Sequence, residues 1–229
     1  MSEIKVNVQD LTGLLSCAKL YMNEATLRIA DGYAQITEVD ATHVQMINGK
    51  IECDCEPCNI PVNLEKLIKA ISAAGKDAVM ELDNDRIILH GEHARIKVPL
   101  IYRDVNFKWP PKFDADPVAE CEISPSLLSP VISYGVFTNS SFARFSIKDT
   151  RMTVEIGTES DVSEVISPST AVGESTVNID LAYLDALIKY VKNVPSIKVC
   201  GFGSDTPLMF KWNDGTGVYR VVIAPRIED

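Results

Sequence analysis

The sequence predicts an α+β protein built as two similar halves, and three observations lead to that class. A capped, leucine-striped helix followed by three short strand-like runs occurs twice along the chain. The segment Val62-Asn63-Leu64-x-x-Leu67 reappears as Ile179-Asp180-Leu181-x-x-Leu184, displaced by 117 residues. With the matching elements that follow each copy, this indicates an internal duplication of about half the chain. Between the copies, Tyr102 to Pro117 carries Trp109-Pro110-Pro111 and a further proline, whose fixed φ and missing N–H suit an extended connector. The expected division is a first domain at 1–101, a connector at 102–117 and a second domain at 118–229.

In the first half, Asp10 is a candidate cap for a helix through Leu11, Leu14, Leu15, Ala18 and Tyr21. Asn63 is the candidate for a second helix through Leu64, Leu67, Ile68 and Ile71, which Gly75 ends. Strand-like runs follow at Ala78 to Leu82, Arg86 to His90 and Ala94 to Ile101, parted by turn-forming residues. In the second half, Ser124 is a candidate cap, and Asp180 caps a helix through Leu181, Leu184, Leu187, Ile188 and Val191 that Pro195 stops. Runs at Ile197 to Gly201, Pro207 to Trp212 and Val218 to Ala224 complete the repeat.

With 46% hydrophobic and 24% charged residues in 229, the composition is that of a globular protein with one sizeable core or two smaller ones. Short apolar runs and a start without a signal-like stretch lead us to expect a soluble, intracellular protein with no membrane partner. Six cysteines in a chain of this size read as reduced thiols. The net charge of −10 opposes nucleic-acid binding by a uniform surface, but not by a basic face segregated from the acids.

Three segments resemble the archaeal and eukaryotic sliding clamp family, the proliferating cell nuclear antigen (PCNA) type: Val39-Asp40-Ala41-Thr42-His43-Val44, Val62-Asn63-Leu64 with its helix, and Thr206-Pro207-Leu208 followed by Val221 to Glu228. The ending Ala224-Pro225-Arg226-Ile227-Glu228 is the most specific of these, and Ala182-Tyr183-Leu184 is also similar. The likeness covers nearly the whole chain and is thinnest from Ser124 to Thr176. It implies a DNA clamp fold, with two helices packed on antiparallel sheet in each domain. It also implies three subunits joined head to tail in a ring, with Ala94 to Tyr102 of one pairing with Glu159 to Ser167 of the next. The implied partners are double-stranded DNA, DNA polymerase and other replication and repair proteins bearing short clamp-binding peptides, a clamp loader, and the chain itself. The protein would then act in the cell wherever the DNA is.

The helices' solvent faces carry the candidate DNA contacts: Lys19, Lys66, Lys69, Lys189 and Lys192, with Lys76 just past a helix end. Lys66 with Lys69, and Lys189 with Lys192, stand three apart and so share a face. Without the resemblance such a face reads as ordinary solvated helix; with it, as sequence-independent phosphate contact. One interval departs from the pattern. From Phe113 to Ala143 there is no Lys or Arg, and Pro130 would kink the expected third helix or delay its start.

The resemblance further implies an apolar pocket for partner peptides at Val39, His43, Val44, Met46, Pro207, Leu208, Val222, Ala224, Pro225 and Ile227, with Trp109 and Phe113 as rims. Val44, Met46 and Leu208 read equally well as core. The connector is shorter than in familiar clamps, and Val222 often has an aromatic counterpart in the family. His43 has only Asp40 near it and no nucleophile, so a binding reading is preferred to general base catalysis. Cys53-x-Cys55-x-x-Cys58 lacks an evident fourth ligand, so ordinary thiols are preferred to zinc. We therefore expect no enzyme activity, no cofactor and no metal. The rivals are a divergent clamp acting as a heteromeric, checkpoint-type subunit or non-encircling adaptor, and a metalloenzyme built on the cysteine cluster.

Overall fold

The structure is a computed structural model and describes residues 2–102, 115–158, 161–166 and 171–226. The chain divides into two compact units, Met1–Pro111 with Gly215–Tyr219, and Lys112–Asp214 with Arg220–Asp229.

The first unit runs β1 (Ser2–Ile4), α1 (Val8–Lys19), β2 (Glu24–Ala30), β3 (Tyr33–Val39), β4 (Gln45–Glu52), β5 (Cys58–Asn63), α2 (Leu64–Ala74), β6 (Val79–Asp83), β7 (Arg86–His90) and β8 (Arg95–Pro99). Its strands pair antiparallel in the orders β4-β3-β2-β5 and β1-β6-β7-β8. The cap of α1 is Asn7 and not Asp10. Asn7 has the extended backbone a cap needs, and its Oδ1 accepts from the N–H groups of Gln9 and Asp10 at 2.8 and 3.3 Å. Asp10 falls in the first turn, where its charge suits the helix dipole. For α2 the expected cap holds: Asn63 Oδ1 accepts from Lys66 N–H at 3.0 Å. Gly75 ends that helix at φ 99°, a backbone that side-chain-bearing residues adopt only under strain. Both helices turn leucines inward, so that Leu11, Leu14, Leu15, Leu64 and Leu67 are fully buried with Leu27, Ile36 and Ile47. Gly49 in β4 lets Leu14 and Tyr219 close in, since a Cβ there would lie 2.6 Å from Leu14 Cδ1 and 3.1 Å from Tyr219 Cδ1.

The second unit repeats the plan as β9 (Ala119–Ile123), a 3-10 turn (Pro125–Leu127), α3 (Ser129–Thr138), β10 (Phe142–Lys148), β11 (Arg151–Thr158), β12 (Asp161–Ile166), β13 (Ala171–Gly173), β14 (Ser175–Asp180), α4 (Leu181–Val191), β15 (Ile197–Gly201), β16 (Leu208–Asn213) and the latter part of β17 (Gly217–Ile223), whose first three residues count with the first unit. Among the described residues, β13 and the 3-10 turn lack a counterpart in the first unit. The pairings repeat too: β10 lies between β11 and β14 as β2 lies between β3 and β5, and β9 pairs β15 as β1 pairs β6. Asp180 caps α4, its Oδ1 accepting from Ala182 N–H at 2.8 Å. Ser124 heads the 3-10 turn and makes no side-chain cap bond, and α3 starts only at Ser129 with Pro130 in its first turn. Pro130 thus delays the helix and does not kink it, because a first-turn residue has no intrahelical N–H to lose. Phe145 and Phe210 meet edge to face at 6.1 Å in this unit's core, and Leu184, Leu187 and Val199 are fully buried in the same unit.

Candidate DNA-facing helices and peptide-binding segments

Of the six lysines on or beside the helices, three are already engaged. Glu65 bonds Lys69 at 2.6 Å one turn along α2 and reaches Lys19 of α1 at 3.6 Å. Those bonds and charges, Lys69's first, hold the Glu65 carboxyl below its usual range. Lys19 also donates to Asn23 at 2.7 Å, and Lys189 is paired with Asp185 at 2.5 Å. Lys66, Lys76 and Lys192 are exposed and have no carboxylate partner among the described residues. The fixed lysines bring their own counter-charge, so a phosphate would have to compete for them. The other three offer net positive charge to solvent.

Helix α3 offers something different. It carries no charged side chain, and Val136 and Phe137 are each 80% exposed, with Tyr134 also turned outward. The missing Lys and Arg were visible in the sequence; the outward aromatic was not. An α3 rich in apolar residues all round shows no preferred face from periodicity alone, and only the side packed on β11 and β12 reveals which residues are left over.

The segment Asp40 to Gln45 is a tight turn built around one carboxylate. Asp40 Oδ1 accepts from the N–H groups of Val44 and Gln45 at 2.8 and 2.7 Å, and Oδ2 accepts from Thr42 N–H at 3.2 Å and from the Thr42 hydroxyl. Burial pushes the Asp40 carboxyl up, but the bonds from Thr42, Gln45 and Val44 outweigh it and hold the group below its usual range. The turn exposes His43 at φ 59° and leaves Val39, Val44 and Met46 half-buried.

In the second unit, Leu208 and Val222 are core residues at 1% and 8% exposure, so their side chains offer a peptide little area. Pro207, Ala224 and Pro225 are half-buried. The tail beyond β17 is tied down by Arg226. Its N–H donates to Asn178 O at 2.8 Å, while its guanidinium bonds Ser141 Oγ, lies 4.0 Å from Asp180 and sits 5.2 Å from the Phe142 ring centroid. No local pattern in the sequence marks Arg226 as this anchor. Trp109, Phe113 and Ile227 lie outside the described residues.

Strands β8 and β12 each stand at the edge of a four-stranded sheet. The β8 edge exposes Arg95 and Lys97, and the β12 edge exposes Glu164. The cysteines form no disulfide, and among the described residues no group of three His, Cys, Asp or Glu is arranged to hold a metal ion. Among the same residues no helix is long and apolar enough to cross a membrane.

No protein-family model matches the sequence, and no curated protein matches it. Solved structures do. PCNA of A. fulgidus, in a complex with the C-terminal region of FEN-1, is similar over 100% of both chains at a TM-score of 0.86 and 15% identity. PCNA of Thermococcus kodakaraensis covers 98% of this chain and 99% of its own at 0.81 and 16%. A PCNA2-PCNA3 complex from Sulfolobus tokodaii contains a chain similar over 100% of both at 0.80 and 16%. Element order, antiparallel pairing and full-length likeness agree: this chain has the fold of a PCNA-type sliding clamp subunit.

Proposed function

We propose that the chain is a DNA sliding clamp subunit. Three copies join head to tail, encircle duplex DNA after opening by a clamp loader, and tether DNA polymerase and other replication and repair enzymes through short peptides. The protein is a scaffold with no catalytic centre of its own and works in the cell wherever the DNA is. The observation that carries this reading is the full-length likeness of both units to solved clamp subunits.

Three features support it. Arg95 and Lys97 on one free edge and Glu164 on the other are complementary, and opposite charges across paired strands stabilise a heterologous contact of the kind that closes rings. Lys66, Lys76 and Lys192 are available for phosphate contact, which carries no sequence information and permits sliding. The Asp40 turn and the Arg226-anchored tail hold half-buried apolar side chains in fixed backbone, which lowers the ordering cost of peptide binding. The domain boundaries at 101 and 118 and the rims Trp109 and Phe113 belong to the same proposal.

Size-exclusion chromatography with light scattering at several concentrations tests it. A mass of three subunits that survives dilution is expected, and Glu164→Arg should break it down. One subunit at every concentration would overturn self-assembled encirclement. A second reading, in which the partner is a different clamp-fold chain, is favoured by the charge-free, apolar face of α3. It requires the larger mass to appear only on mixing.

A further inference from the structure

The turn between β4 and β5 holds three thiols within six residues, Cys53, Cys55 and Cys58, and the clamp reading does not use them. Its two ends are fixed. Cys53 N–H donates to Gly32 O at 2.9 Å, and Asp54 exchanges backbone bonds with Lys5 at 3.0 and 3.2 Å. At the far end Cys58 opens β5 opposite Ile29. These anchors leave Cys53 buried, while Cys55 and Cys58 are both half-exposed. Cys55 and Cys58 are separated only by Glu56-Pro57, and the backbone bends at Cys55 and again at Pro57. Thiols separated by two residues across bent backbone can bond with little backbone movement, since disulfides span Cα separations of about 4.4–6.8 Å.

We propose that Cys55 and Cys58 form a dithiol site which a small-molecule disulfide oxidises to an intramolecular Cys55–Cys58 bridge, closing the β4–β5 turn. One cysteine, giving up its proton, attacks the reagent disulfide, forms a mixed disulfide and releases one reagent thiol. The second cysteine, also deprotonated, displaces the other reagent thiol. Two cysteine thiols are oxidised and one disulfide is reduced to two thiols, so no further oxidant is needed. Burial first, then the neighbouring Cys55, pushes the Cys58 thiol up to about 11, and burial does most to push Cys53 to about 11 as well. The exchange is therefore slow at neutral pH and quickens as pH rises.

The test is to hold the native full-length chain with oxidised glutathione, block remaining thiols with N-ethylmaleimide, and map the products by intact and peptide mass spectrometry. The expected product has lost alkylation at Cys55 and Cys58 alone and is lighter by two hydrogens, with more of it at higher pH. Cys53→Ser should still form it, whereas Cys55→Ser and Cys58→Ser should each stop at a glutathione adduct. A wild-type chain that keeps both thiols open to the reagent, accumulates the adduct, or bridges through Cys53 would overturn the proposal.

Discussion

Helices α2 and α3 are of similar length but follow opposite rules. In α2 a side-chain cap starts the helix, Leu64, Leu67 and Ile71 face the core, and Glu65, Lys66 and Lys69 face solvent. In α3 no side chain caps the first turn, which follows a 3-10 turn and Pro130, and the exposed face is Ser133, Tyr134, Val136 and Phe137. Where apolar and polar faces are separated, the sequence announces both the packing and what is offered to solvent. Where they are not, tertiary contacts alone decide.

The comparison can be broken most severely at the buried stripes. Leu67→Ala in α2 and its counterpart Leu184→Ala in α4 each remove a fully buried side chain and should cost about 2–5 kcal/mol, read from urea midpoints. Caps come next: Asn63→Ala and Asp180→Ala should each cost about 0.5–2 kcal/mol, while Ser124→Ala, which loses no cap bond, should stay within about 0.5 kcal/mol.

The Asp40 turn extends the same idea to a loop. Its folded carboxyl titrates below its unfolded value, so its contribution is present above an unfolded pKa of about 3.9 and disappears as pH falls through the lower, folded one. Amide exchange at Val44 and Gln45 should accelerate over that acid range in the native chain, and Asp40→Asn should remove the dependence. The smallest effect is expected on the exposed face of α3. Phe137→Ser and Val136→Ser should move stability by no more than about 0.5 kcal/mol, and a larger loss would show that this face is packed.

Much of the fold was legible in the sequence because its signals are local. Asn63 and Asp180 sit directly before their leucine stripes, and β7 and β15 were delimited at both ends. Asn7 was missed because Asp10 stands nearer the first leucine. Strands β2 to β5 were not read as separate elements because their buried positions include Thr26, Gln45 and Gly49, which interrupt an apolar alternation. Half of the candidate DNA-facing lysines looked free for a related reason. The Glu65–Lys69 spacing is a local pattern, but the reach of Glu65 to Lys19 joins two helices and leaves no trace in spacing. The Arg226 anchor likewise gathers Ser141, Phe142 and Asp180 from distant parts of one unit.

Gly215–Tyr219 belongs to the first unit although it comes near the end of the chain. A gene cut at the connector would therefore not yield two autonomous modules. The amino-terminal fragment would lack Tyr219, whose fully buried ring closes against Gly49. Dissection would succeed only if residues 215–219 were supplied again, as an added peptide or by circular permutation.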